Sequence, residues 1–378
     1  RINATGLFND VRVAVQQPEV DDPEVRDIIV EIKERNTGSF NFDAGLGSDS
    51  GIFGEFSFRQ TNFDIADWPL TAEELISGRA FRGAGQSFDI TVAPGTEVSQ
   101  FSISLTEPHL FESNVSAQFS GSYRNRIFNQ YTEERFVAGG NLGQRLGDVW
   151  VGNLAASLQQ VELTDFDPST PLAVFDDRGP DRFVTLTGSL RRTTVDDPFR
   201  PSRGSALQIG LTKAIPLSID RKTTPGFSEP ETVDYWAFNV ELASFLTLYE
   251  DFLGRKHVLS LQADVSWIFE GNAPTFQKYY LGGQTFRGFE FRTISPKSDR
   301  TIQNPAGNGD FDPIVPERGR HLRLAIEDGV PSSHHKSLDL AYLVKPRVDA
   351  NFSSGNEGLI NHVLQLFGMC QCGVPIQI

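Results

Sequence analysis

An all-β chain whose antiparallel strands form a membrane-crossing barrel is the fold this sequence predicts, and three observations predict it. Apolar and polar residues alternate with a period of two in run after run. Each run is near the ~10 residues that a tilted membrane strand needs. The connections are unequal: some are short, as in "PGTEVS", and others long and polar, as in "TDFDPSTPLAVFDDRGPD" and "IDRKTTPGFSEPETVD". Short turns at one mouth and long loops at the other are the asymmetry of a barrel in an outer membrane.

The first 36 residues differ from the rest of the chain. "LFNDVRVAV" and "VRDIIVEIKER" are two strand-like runs joined by "QQPEVDDPE", whose prolines and acids suit a loop. This hairpin lacks the mass around it to bury an apolar face, so it reads as the end of a small domain whose earlier half is missing. From Gly38 the alternation is strict. Phe40, Phe42, Ala44 and Leu46 oppose Ser39, Asn41 and Asp43, and Ile52, Gly54, Phe56 and Phe58 oppose Glu55, Ser57 and Arg59. The pattern returns around Phe88–Val92, Phe101–Leu105, Val115–Tyr123, Leu207–Leu211, Trp236–Leu242 and Leu259–Trp267, with less regular candidates at Arg135–Leu142, Val149–Leu158 and Phe183–Leu190. That makes about eleven strands by Phe269.

A soluble sandwich would also alternate, so strand number decides. Side chains fill a barrel of about eight strands, whereas eleven or more open a lumen. The Gln, Ser, Asn, Asp and Arg row then lines water inside and the Phe and Leu row meets lipid. Modest hydropathy is consistent with this, because alternating strands average out. No run approaches the ~18 consecutive apolar residues of a membrane helix.

Composition narrows the function classes. With 34 basic against 49 acidic residues, a net charge of −15 repels phosphate backbones, so nucleic acid is not an expected partner. The two cysteines, Cys370 and Cys372, give no disulfide framework. They are also too close in "MCQC" for a four-ligand zinc site, and "HHK" suits a solvated loop. His109 in "TEPHLF" sits at a predicted turn with a structural role. The chain opens at Arg1 with no secretion signal, as a mature or excised segment does. No G-x-S-x-G, H-E-x-x-H or phosphate loop is present, so an enzyme is not expected.

The stretch "YYLGGQTFRGFEF" is the most unusual one. Gly282 and Gly283 permit positive φ and close backbone approach, so the segment can fold back inside a barrel mouth. Arg287, between Phe286 and Phe289 and followed by Gly288, can stack on a ring or pair bidentately with a lumenal carboxylate. On spacing alone an exposed loop arginine beside a hairpin turn is equally open.

"LGGQTFRGFEFRTISP" resembles the loop that the BamA-like outer-membrane assembly factors tuck into the barrel lumen. "GLFNDVRVAV", followed by "DIIVEIKERNTGSFNFDAGLGSDSGIFGEFSFRQTNF", is similar to the end of that family's last periplasmic POTRA domain running into its first barrel strands. "GAGQSFDI", "FSISLTEPHLF" and "TVDDPFRPSRGSALQIGLTKA" also stand in the family's order. The resemblance covers residues 1 to about 297. It implies residues 1–36 as the C-terminal part of a POTRA domain and 37–297 as an incomplete outer-membrane barrel, with about sixteen strands expected and eleven to twelve readable.

The resemblance also implies an activity: folding and inserting client β-barrel proteins into the outer membrane, with no nucleotide, metal or other cofactor. Its partners would be unfolded barrel clients, outer-membrane lipid and periplasmic or lipoprotein accessory subunits. A strand edge in lipid carries backbone groups that lipid cannot satisfy, so an opened seam can capture an incoming strand. The edge here is the first barrel strand, with Phe40, Phe42, Gly45 and Gly47. Its two glycines weaken pairing and aid opening, or simply end a strand. A passive pore would share the polar lumen but need neither the periplasmic hairpin nor the inward loop, whereas a TamA-like or two-partner secretion pore is built from the same parts.

After Pro296 the alternation breaks off. Residues 298–378 carry the only methionine, both cysteines and four of the six histidines, an abrupt change of the kind a shifted reading frame produces. An atypical tail, frameshifted or disordered, is one expectation. A divergent tail with a strand around Leu338 to Leu343 is the other.

Overall fold

The computed structural model describes residues 8–15, 28–34, 37–47, 50–76, 80–219, 232–250, 252–254, 256–280, 297–298, 300–306, 312–313, 320–328 and 337–344. β1 (Phe8–Val15) and β2 (Ile28–Glu34) form an antiparallel hairpin of their own, with Val13 opposite Val30 and Val15 opposite Ile28. Val13, Val15 and Ile28 are exposed, as expected of a hairpin against which no other described element packs.

Next comes the main sheet: β3 (Gly38–Gly47), β4 (Gly51–Phe63), α1 (Ala72–Ile76), β5 (Arg82–Ala93), β6 (Val98–Glu107), β7 (Val115–Ile127) and β8 (Thr132–Leu146). It continues with β9 (Trp150–Thr164), α2 (Leu172–Phe175), β10 (Gly179–Thr193), β11 (Gly204–Ile219), β12 (Asp234–Glu250) and β13 (Lys256–Asn272). The two-residue pieces β14 (Lys297–Ser298) and β15 (Asp312–Pro313) pair with each other, and β16 (Arg320–Asp328) and β17 (Ser337–Val344) follow. β3 to β13 are the eleven strands that the alternation predicts. The sheet has thirteen, because β16 adds to β13 and β17 to β16, all antiparallel, with β3 and β17 at its two ends. β17 covers the strand allowed around Leu338 to Leu343, and β16 is an addition to what the sequence predicts.

Register turns the alternation into two continuous rows. Phe42, Phe56, Val92, Phe101, Tyr123 and Phe136 stand opposite one another across β3 to β8. The same row runs on through Leu211, Phe238 and Trp267. The register carries it to Leu322 and Leu324, opposite Val265 and Ala263, and then to Tyr342 and Leu340. The other row is polar: Asn41, Ser57, Thr91, Ser102, Ser122 and their neighbours. Arg59 and Asp89 on it form an ion pair between β4 and β5.

The segment after β13 shows which row faces inward. Phe276 accepts a hydrogen bond from Arg135 of β8 through its carbonyl (3.0 Å) and stacks on Phe183 of β10 at 6.4 Å between ring centres. Gln277 accepts from Tyr235 of β12 and donates to Gln159 of β9. One short segment touched by four strands on their polar row lies in a concavity, so the polar row is the inner one and the apolar row the outer one. Phe42 (78 % exposed) and Leu154 (69 %) on that outer row meet no protein layer among the described residues. The dry core is confined to one mouth, where Val161, Leu163, Phe183, Ala214, Tyr235 and Ile268 meet Val174 and Phe276.

Candidate functional site

Two places have geometry beyond what a closed scaffold needs: the edge strand β3 and the segment inside the mouth. In β3 the amide of Thr61 donates to the carbonyl of Thr37 (2.9 Å), so positions 37 and 61 form a hydrogen-bonded pair. Such pairs alternate along an antiparallel ladder. In the observed register, Ser39, Asn41, Asp43 and Gly45 therefore aim their backbone groups at β4, and Phe40, Phe42, Ala44 and Leu46 aim theirs away from it. Gly54 confirms the phase: opposite Ala44, it donates its amide not to β3 but to Pro94 on the other side (2.9 Å). Among the described residues no strand pairs with this outer side of β3.

Each predicted gate residue has a definite place. Phe40 and Phe42 lie on the outer row, with Phe40 at 4.7 Å from Phe58 and Phe42 at 5.0 Å from Phe56 between ring centres. They present both apolar rings and unmatched backbone at one edge. Gly45 lies opposite Phe53 on the inner row, and a Cβ there would sit 2.7 Å from the Phe53 ring. A packing requirement thus accounts for this glycine directly. Gly47 faces Gly51 at the hairpin end, where a Cβ would collide with the Ser50 hydroxyl. Gly282, Gly283, Arg287, Gly288 and Phe289 lie outside the described residues, as do Cys370, Cys372 and the "HHK" histidines. His109 ends a tight turn, its amide donating to Glu107 and its carbonyl accepting from Glu112, a structural role.

The inner site was not singled out from sequence. Glu133, 1 % exposed, accepts from Arg124 and Arg135 at 3.2 Å each. Arg135 also holds the Phe276 carbonyl and lies 5.9 Å from that ring centre. A buried carboxylate needs such partners, since desolvation alone would neutralise it. Asp177, in the loop after β9, receives the amide and hydroxyl of Thr275 at 2.6 and 2.7 Å. That same loop bonds to residues beyond the arginine stretch: Leu172 to Arg300 and Ile302 to Thr170, both at 3.0 Å. The described residues on both sides of "LGGQTFRGFEF" are thus held at one mouth, the first inside it. Only the register could reveal this: Arg124 stands opposite Arg135, and Glu133 comes near both only once β7 and β8 are paired.

The described residues of this arrangement are a buried carboxylate shared by two arginines and the unpaired side of a terminal strand. Among the described residues no three His, Cys, Asp or Glu side chains gather as a metal site does. What it offers is a strand edge and an anchored inner segment. The Omp85 superfamily domain matches residues 80–315, more than half of the chain. The chain belongs to the Omp85 superfamily.

Similarity within the superfamily runs towards BamA. The chain is 25 % identical over 213 residues to the outer membrane protein assembly factor BamA of Neorickettsia risticii, covering 56 % of this chain and 26 % of that protein. It is also 25 % identical over 128 residues to BamA of Buchnera aphidicola, covering 34 % and 18 %. It therefore spans about a quarter or less of the length of these relatives. Among solved structures, BamA from Haemophilus ducreyi lacking POTRA domains 1–3 superposes with a TM-score of 0.65 at 19 % identity, over 90 % of this chain and 64 % of that one. CdiB from Acinetobacter baumannii does so at 0.50 and 10 %, over 92 % and 57 %. At such identities the structural matches speak for the fold alone, an all-β one.

Proposed function

We propose that this Omp85 chain works in an outer membrane, where it folds and inserts client β-barrel proteins by offering β3 as a template strand. The observation that carries this reading is the position of β3 at the end of the sheet, with the backbone groups of Phe40, Phe42, Ala44 and Leu46 turned outward and its rings on the lipid-facing row. In hydrocarbon those groups have no water to bond, so a client strand that pairs with them gains what the bilayer cannot supply. Added strand by strand, the client satisfies its own backbone as it enters. Residues 1–36, with their hairpin, are read as the end of a periplasmic POTRA domain that delivers clients to this edge. Periplasmic or lipoprotein subunits would assist there.

The inner segment supports the same reading. Phe276 and Gln277 are tied to β8, β9, β10 and β12, and on our reading the arginine stretch that follows in sequence would enter the mouth, with Arg287 bracing the wall while the seam opens. A passive pore has no need of a strand edge, and a TamA-like or two-partner secretion pore would use the same wall for a different client.

A photoreactive phenylalanine analogue placed at Phe40 or Phe42 in the full-length protein, in cells making a client barrel, tests the edge. Crosslinks from both positions and none from Phe136, on the same outer row but within the sheet, are expected. Equal capture at all three would overturn the template reading. Arg287→Ala separates the alternatives, since it should impair client assembly more than ion conductance. A change in conductance alone would favour the pore.

A further inference from the structure

On the outer face, at the end of the sheet where β3 begins, the loop between β4 and β5 does not leave the wall. Its described residues, 64–76 and 80–81, lie back along the wall, and several of them line an open groove of 1090 Å³. That is at or above the roughly 300–1,000 Å³ of an ordinary small-molecule site. Its floor is the apolar row itself, with Phe40, Phe58, Phe88 and Phe119 contributed by four strands. Its roof is Trp68 and Phe81, whose rings are 5.2 Å apart, with Phe81 stacked on Phe63 at 5.5 Å and Phe63 on Phe88 at 4.8 Å. Phe81 holds that place with φ at 57°, a left-handed conformation that a bulky residue adopts only under constraint.

The groove is mainly apolar, with Ser104 and Ser120 on its wall and a polar cluster at one end. There Arg82, Gln60 and Thr37 meet: the Gln60 amide donates to the Thr37 hydroxyl (3.2 Å), as does the Arg82 guanidinium (3.4 Å). This is the water-side end, because the loop beyond it carries Asp64, Asp67, Glu73 and Glu74. Trp68 (69 % exposed) and Leu70 (90 % exposed) belong to this loop, and exposed indole rings favour the boundary between headgroups and acyl chains.

We infer that this groove is a binding site for one phospholipid of the leaflet on the β3 side, its acyl chains on the phenylalanine floor and its phosphate at Arg82. This rests on the reading that the outer row faces a bilayer. The floor belongs to the surface that lipid wets, so lipid is the molecule always present to fill it. A planar guanidinium matches phosphate oxygens. Because Phe40 is both floor and edge, the bound lipid touches the strand that is proposed to open. Opening would then require the lipid to shift, which couples the edge to the membrane around it.

Native mass spectrometry of the full-length protein released from vesicles of phosphatidylethanolamine and phosphatidylglycerol reads the site directly. One retained phospholipid per chain is expected. Ala138→Trp, which fills the groove, and Arg82→Gln should each lower the retained fraction about tenfold, whereas Leu211→Trp, elsewhere on the outer row, should not change it. Retention unaffected by Ala138→Trp and Arg82→Gln, or lowered equally by Leu211→Trp, would overturn the site. A peptide ending in an aromatic residue that occupies the groove in preference to phospholipid would also overturn it, in favour of a client segment. Brominated phospholipid in the same vesicles separates the two readings. Quenching of Trp267, on the outer row, with no groove-sensitive lipid sinks the site alone. No quenching of Trp267 sinks the lipid-facing assignment and the site with it.

Discussion

Ala44→Pro is the sharpest test of the edge, because the ladder phase makes its effect one-sided. The Ala44 backbone points away from β4, so proline there removes an edge donor without removing a β3–β4 hydrogen bond. Its neighbour Asp43 is already extended within β3, as a residue before proline must be. An incoming strand would meet a carbonyl left without its donor in hydrocarbon. An unsatisfied buried polar group costs about 1–3 kcal/mol. At 1.4 kcal/mol per factor of ten, client insertion should slow by about 5- to 150-fold. Asp43→Pro is the counter-experiment: it removes a donor that faces β4, so the hairpin itself should loosen. Proteoliposomes holding the full-length protein and an unfolded client, scored by the gel mobility of folded barrels, give the rate. Amide exchange at Glu55 and Ser57, which face β3, reports whether the ladder survives. An insertion rate within about twofold of the unmodified protein for Ala44→Pro, with an intact ladder, would refute the reasoning.

Three further outcomes are expected at the mouth and its loops. Glu133→Ala removes the buried carboxylate that Arg124 and Arg135 share. Breaking a fully buried pair costs about 3–5 kcal/mol. Because Arg124 is half-exposed and Arg135 keeps the Phe276 carbonyl, the loss here should be smaller, a fall of a few degrees in the thermal unfolding midpoint in detergent. Asp177→Ala removes two charge-assisted bonds to Thr275, each about 1.5–3 kcal/mol, and should raise amide exchange at Thr275–Gln277 more than in β10 or β13. Asp196, in the loop after β10, is held well below the ordinary carboxylate range by the Ser202 hydroxyl, then by the amides of Ser202 and Arg203. A lowered folded value means that its contribution is complete above the ordinary carboxylate pKa of about 3.9 and is lost as pH falls through the lower one. Protection of the Ser202 and Arg203 amides, taken relative to their intrinsic exchange at each pH, should therefore persist at pH 4 and be lost only on further acidification, while Asp196→Ala should lack it throughout.

How far the sequence reaches can be seen strand by strand. Phe40 to Leu46 and Leu259 to Trp267 were legible because a half-buried strand repeats every two residues, and that period survives in a single chain. Arg320 to Asp328 alternates equally well at Leu322, Leu324 and Ile326, yet the polar stretch before it, rich in proline and glycine, hides the continuation. Only pairing with β13 brings it into line. Gly45 reads as a weak point in a strand, and the Phe53 ring opposite supplies the reason that sequence spacing does not contain.

Alone, then, the sequence determined the strands, their two faces and their resemblance to an Omp85 chain, because periodicity and local motifs are properties of neighbouring residues. The tertiary structure decided what distant residues do together. It brought Arg135 to Phe276 across 141 positions, buried Glu133 between two arginines and folded the β4–β5 loop over four phenylalanines. The physical reason is that register converts a one-dimensional alternation into neighbours, and no local pattern specifies which strands will meet.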